Sequence, residues 1–167
     1  MDIVVDSLLN GSKNSKGIVV IIDVFRCFTT EAVAFSNGAE KIILVATIEE
    51  AIELKKLGFG DILMGEVSGK KPDGFDFGNS PSEIADLDFS GKTIIQSTRA
   101  GTVGVASATK ADMIFGGSFA VASATAKIIS SRSPNLVTLV AMGLEATVRS
   151  DEDELCALFI RNLLQGR

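Results

Sequence analysis

The chain has 167 residues, 46% apolar and 22% charged, which suits one globular domain with a single substantial core. Its net charge of −5 argues against broad attraction to nucleic acid or an anionic membrane. It contains no histidine, which excludes a Ser-His-Asp triad, phosphohistidine chemistry, an imidazole base and histidine-ligated metal. Carboxylates, cations, hydroxyls, backbone amides and thiols remain. A metal here would be a hard one on oxygen ligands, Mg²⁺ before Zn²⁺. Cys27 and Cys156 are far apart and suggest neither a metal pair nor a disulfide framework. Met1-Asp2 begins without positive charge, and the apolar run Ile18–Ile22 is too short for a signal sequence or a membrane span. The expectation is one cytoplasmic domain over residues 1–167.

Short β-branched runs alternate with helix-like segments along the whole chain. Strands are expected at Ile3–Val5, Ile18–Asp23, Lys41–Val45, Ile62–Met64, Thr93–Gln96, Met113–Phe115 and Leu136–Ala141. Several are continuous apolar runs, as in strands covered on both faces. Thr29 or Thr30 can cap a helix reaching Asn37, with Gly38 ending it. Thr47-Ile48-Glu49-Glu50 is a capping box, and its helix carries Lys55 and Lys56 in the last turn. Ser80-Pro81-Ser82-Glu83 repeats the box with proline at the first helical position. Further helices follow Thr102 and Ser118. The last runs from Asp151 to Gln165, with Leu155, Phe159 and Leu163 along one face. Such alternation predicts right-handed crossovers and a three-layer α/β/α fold around a largely parallel or mixed sheet.

The stretch from Gly65 to Pro81 breaks this rhythm. Its seventeen residues include four glycines, two prolines, three carboxylates and two lysines, too mixed for a plain connection. Phe75 and Phe77 suggest that it docks on the body. It reads as a binding loop.

In a parallel sheet, ligands bind beyond the carboxyl ends of the strands. Asp23-Val24-Phe25-Arg26 follows the second strand, Gly65-Glu66 the fourth and Ser97-Thr98-Arg99 the fifth. Gly116-Gly117-Ser118 follows the sixth, and Met142-Gly143 the seventh, leading to Arg149 and Asp151-Glu152-Asp153. Hydroxyls, glycine amides and helix starts there would cradle an anion, with arginines as clamps. Carboxylates could hold Mg²⁺. Neither G-x-G-x-x-G nor a P-loop is present. Cys27 after an arginine invites a thiolate reading, weighed against a small half-buried residue.

Asp23-Val24-Phe25-Arg26 with Thr29-Thr30, then Asn37-Gly38-Ala39, resembles the opening signature of the 2-phosphosulfolactate phosphatase family. Gly74-Phe75-Asp76-Phe77-Gly78-Asn79-Ser80-Pro81 looks like its most specific motif. Ser97-Thr98 with Gly101-Thr102, Gly117-Ser118-Phe119, and Glu152-Asp153 with Cys156-Ala157 continue the likeness in order. It implies an α/β fold and Mg²⁺-dependent hydrolysis of 2-phosphosulfolactate to sulfolactate and phosphate, a step toward coenzyme M in some organisms. There are departures. Gly65-Glu66-Val67-Ser68-Gly69 lacks the arginine of the family's Gly-Glu-Arg-Gly-Gly, and Arg99-Ala100-Gly101-Thr102 replaces Asn-Gly-Thr. The chain also stops soon after its last helix, so a domain shortened at the C-terminus is expected.

The expected catalytic residues are Asp23, Arg26, Glu66 and Asp76. Metal candidates are Asp23, Glu66 and Asp76, with Glu152 and Asp153 in reserve. Substrate binding falls to Thr29, Thr30, Lys70, Lys71, Asn79, Ser97, Thr98, Arg99, Ser118 and Arg149. The expected partner is a small anionic phosphorylated substrate, with no nucleic acid and no membrane, and the expected assembly is a homodimer. The competing reading is a non-catalytic anion-binding or regulatory module on the same fold.

Overall fold

The computed structural model describes residues 1–167. All seven expected strands form: β1 (Asp2–Ser7), β2 (Gly17–Ile22), β3 (Lys41–Val45), β4 (Ile62–Gly65), β5 (Thr93–Ser97), β6 (Ala111–Gly117) and β7 (Leu136–Ala141). Between and after them run α1 (Leu8–Asn14), α2 (Cys27–Ser36), α3 (Ile48–Lys56), α4 (Pro81–Ile84), α5 (Gly101–Ser107), α6 (Ala122–Arg132) and α7 (Asp151–Leu164). No helix is long and apolar enough to cross a membrane.

Every strand pairing is parallel, so the fold is α/β as expected, with no mixed pairing between strands. The strands nevertheless form two sheets, ordered β1-β7-β2-β6 and β3-β5-β4. Each sheet has helices on both faces. Residues 18, 20 and 22 of β2 face α6 and α7, while Val19 and Ile21 face the side of α1 and α5. In the smaller sheet Ile94 packs with Ala34 of α2 and Ile84 of α4, and Ile95 packs with Ala51 of α3. This alternation follows from the two-residue period of a strand.

Local signals explain most helix ends. Thr47 caps α3 by accepting the Glu50 amide at 3.2 Å, and Gly58 beyond that helix takes a positive φ of 81°. Two expected caps differ. Helix α2 starts at Cys27, ahead of Thr29 and Thr30, because the Asp23 carboxylate accepts the Cys27 amide. Ser80 makes no cap bond to α4; instead Glu83 Oε2 reaches back to the Gly78 amide at 3.0 Å. On α7 the buried face carries Asp153, Cys156, Ala157, Ile160 and Leu164, leaving Leu155 and Phe159 exposed.

The Gly65–Pro81 loop docks as its aromatics suggest. Phe75 is buried on the α3 side, and Phe77 meets Phe89 edge-on at 5.8 Å on the opposite side. Gly65 begins the loop where β4 lies hard against β5, and a Cβ there would drive into the Ser97 carbonyl oxygen. Gly65→Ala is expected to cost about 3 kcal/mol, since a backbone clash cannot be relieved by a rotamer change. Chemical denaturation measures this, and an unchanged midpoint would refute the close approach.

Candidate active site

A pocket of about 140 Å³ opens between the carboxyl ends of the two sheets. Asp23, Phe25 and Arg26 reach it from β2, Glu66, Ser68 and Gly69 from β4, and Arg99 and Ala100 from β5. Gly143, Leu144 and Glu145 come from beyond β7, Glu152 and Asp153 from the first turn of α7, and Asn79 from the long loop.

Carboxylates fix these loops. Asp23 Oδ1 accepts the Cys27 amide at 3.1 Å and Oδ2 the Gly101 amide at 2.9 Å, holding the starts of α2 and α5 together. Asp153 accepts the amides of Val24 and Gly143 at 2.7 and 2.8 Å, joining the ends of β2 and β7. Glu66 accepts those of Arg99 and Gly69, both at 2.8 Å. Asp23 and Asp153 are buried. Burial, then the charge of Asp153, raises the Asp23 carboxyl to about 7 despite its amide donors. Burial also raises the Asp153 carboxyl above its ordinary value.

The cations behave differently. The chain has two ion pairs, Lys55–Asp76 and Arg149–Glu154, so the guanidiniums of Arg26 and Arg99 stand at the pocket without a carboxylate partner. An arginine aimed at a cavity and not consumed by a salt bridge is suited to a phosphate or carboxylate.

Of the residues expected from sequence, the pocket gathers Asp23, Arg26, Glu66, Asn79, Arg99, Glu152 and Asp153. Others lie elsewhere for identifiable reasons. Asp76 bonds the Leu63 amide at 2.8 Å and Lys55 Nζ at 2.5 Å, fastening the loop to the edge of β4 away from the pocket. Partial desolvation pushes that carboxyl up, but the Leu63 amide and Lys55 outweigh it and hold it below its ordinary value. Lys70 sits in an exposed turn bonded to Val67, and Lys71 points its ammonium at the Asp76 carbonyl. Thr29 donates to the Val24 carbonyl, while Thr30 and Ser118 are buried with unpartnered hydroxyls outside the pocket. Arg149 leans on Glu154 at 3.5 Å. Ser97 and Thr98 line a neighbouring cavity.

Several lining residues were not anticipated. Ser68 and Glu145 hydrogen-bond at 3.0 Å across the pocket rim, each on a non-glycine residue with positive φ. Their signal was weak, since only the position after β4 and β7 pointed to them. Cys27 is no thiolate: burial, then the charges of Glu31 and Asp23, push its thiol well above the ordinary range.

The donor set suits Mg²⁺ in part. No three acidic side chains gather as a ready-made cage. Mg²⁺, however, commonly takes one or two carboxylates and keeps its waters. Asp23 and Asp153 each retain lone pairs beyond their amide bonds, and their mutual repulsion is of the kind a cation relieves. The residues fit the ion in that partial sense.

A family model described as 2-phosphosulpholactate phosphatase matches residues 4–167. A Clostridium perfringens (strain 13 / Type A) protein named "Probable 2-phosphosulfolactate phosphatase" is 36% identical over 165 residues, 96% of this chain and 66% of the relative. A Bacillus subtilis (strain 168) protein of the same name is 34% identical over 151 residues, 89% of this chain and 64% of its own. One from Carboxydothermus hydrogenoformans reaches 43% over 121 residues, 72% of this chain and 50% of its own. The chain thus spans between half and about two thirds of these relatives' lengths.

Buried Asp23 and half-buried Glu31 carry a pH signature. Burial raises Glu31 to about 8 and Asp23 to about 7, each above its ordinary 4.5 or 3.8. A raised folded-state value means stability is full below the unfolded value and is lost as pH rises through the folded one. Without divalent cations the melting temperature should therefore fall between about pH 4 and about pH 8. Glu31→Gln should flatten that fall, because it removes one of the two titrations. A variant with the wild-type slope would show that Glu31 does not hold its proton to higher pH.

Proposed function

The chain belongs to the 2-phosphosulpholactate phosphatase family, and from that premise we propose that it is a Mg²⁺-dependent phosphomonoesterase. Its substrate on this reading is 2-phosphosulfolactate or a related small phosphorylated acid. The observation that supports it most is the meeting of buried carboxylates and unpaired arginines in one pocket.

Arg26 and Arg99 bind the phosphoryl oxygens, where a planar guanidinium can engage two at once. Asp23, with Glu152 and Asp153, would hold the metal. Bound there, Mg²⁺ would neutralise phosphoryl charge and lower the pKa of water. Asp23 keeps α2 and α5 in register, so the arginine after β2 and the one after β5 face a common phosphoryl group. Glu66 does the same for Arg99 by holding its amide. Each guanidinium makes contacts that strengthen as charge builds on the transferring group. The buried Cys27 thiol takes no part.

Phosphate release from 2-phosphosulfolactate with Mg²⁺ tests the reading, and chelation by EDTA should abolish it. Full turnover in chelator would remove the metal. No release by the Mg²⁺-loaded chain would leave the non-catalytic anion-binding module. Arg26→Lys should lower kcat by about a hundred- to a thousandfold, with a smaller rise in KM. Unchanged kcat with a lowered melting temperature would make Arg26 a fold residue.

A further inference from the structure

A second cavity of about 210 Å³ lies beside the first, and the two share Glu66 and Arg99 as a common wall. Its far side is the junction of β3 and α3, from Ala46 to Glu49. Thr47 already accepts the Glu50 amide, which leaves the first amides of this nine-residue helix for an acceptor from outside. The floor is Ser97. Ile95 packs beneath α3, so strand alternation turns Ser97, two residues on, to the same face. Ser97 is only 2% exposed, and its hydroxyl makes no hydrogen bond within the protein although it lines the cavity. A buried hydroxyl with no partner, beside unsatisfied helix amides and an unpaired arginine, is a set of donors without an acceptor. Glu66 keeps its charge and opposes an anion, but both its oxygens already accept amides, from Gly69 and Arg99. Glu49 is exposed at the mouth and opposes an anion.

We infer that the second cavity is the subsite for a second anionic group, a carboxylate or sulfonate, of the substrate whose phosphoryl group enters the first pocket. Arg99 stands between the two groups and sets the preference for phosphate esters that carry another anion. This subsite rests on the phosphatase reading of the first pocket.

The test uses sulfoacetate, a sulfonate–carboxylate probe without phosphorus, in calorimetry and as an inhibitor. It compares two esters, 2-phosphosulfolactate and phenyl phosphate, which lacks a second anion. Sulfoacetate should bind the wild-type chain and compete with 2-phosphosulfolactate. Ser97→Ala should weaken that binding about tenfold or more, and lower the preference for 2-phosphosulfolactate over phenyl phosphate by a similar factor. Glu49→Gln, a surface change that leaves the core intact, should tighten sulfoacetate binding. Unchanged sulfoacetate affinity in a folded Ser97→Ala chain would overturn the subsite. Non-competitive inhibition would overturn it too, by making the cavity a separate anion site. If the wild-type chain hydrolyses neither ester, the phosphatase reading fails, and the subsite with it even where calorimetry still reports anion binding.

Discussion

Carboxylates accepting backbone amides, two of them buried, hold this molecule's site together. Asp23 ties Cys27 to Gly101, Asp153 ties Val24 to Gly143, and Glu66 ties Gly69 to Arg99. Hydrogen bonds to an ionised acceptor are the stronger kind. Asp153 and Glu66 extend the β2–β7 and β4–β5 pairings into the loops, whereas Asp23 joins loops that no strand ladder connects. The Asp23 brace matters most, because β2 belongs to one sheet and α5 follows a strand of the other. It adds a polar tie at the carboxyl edges to the apolar packing of α5 between the sheets. The cost is charge repulsion. Acids packed close together in a dry place hold their protons to higher pH, and Asp23 shows this in its upward shift.

Much of the fold was legible because its signals are local. Short apolar runs, several of them β-branched, marked every strand, and the Thr47 box with Gly58 marked both ends of α3. The division into two sheets was not legible. Alternation of strands and helices prescribes parallel pairing but says nothing about which strand lies beside which. Part of the answer lies in tertiary contacts of α5, where Gly104 sits against Met142 and Ile21. The buried face of α7 was also misread. Leu155 and Phe159 look like a core stripe, but Asp153 must turn inward to reach Val24 and Gly143, and that fixes the helix rotation. A polar tether here overrides the apolar pattern.

The site was legible to the level of which strand ends contribute, and less so at the level of side chains. Asp76 is instructive. It stands between two phenylalanines in the stretch that best carries the family likeness, so a chemical role was the natural expectation. Phe75 and Phe77 anchor opposite sides of the small sheet, and the residue between them is carried to the edge of β4. Motif membership therefore reports on how the loop is fastened as well as on what it binds. Ser97 and Thr98 show the reverse. They do end at a cavity, but it is the second one, a distinction that depends on the face to which one strand residue points.

An acidic chain without histidine can still present a surface suited to anions, because net charge and local charge are separate quantities. The acids that matter are drawn beneath the pocket, where amides occupy their oxygens. The arginines stand at its rim with no carboxylate oxygen within 4.0 Å of their nitrogens. Had Arg26 or Arg99 paired with those acids, the site would be electrostatically closed, since a buried ion pair leaves neither partner free for a ligand. Backbone amides already occupy oxygens of Asp23, Asp153 and Glu66, which favours leaving the arginines unpaired. The amides that build the pocket thus also leave its arginines available, and one set of hydrogen bonds serves both the fold and the chemistry.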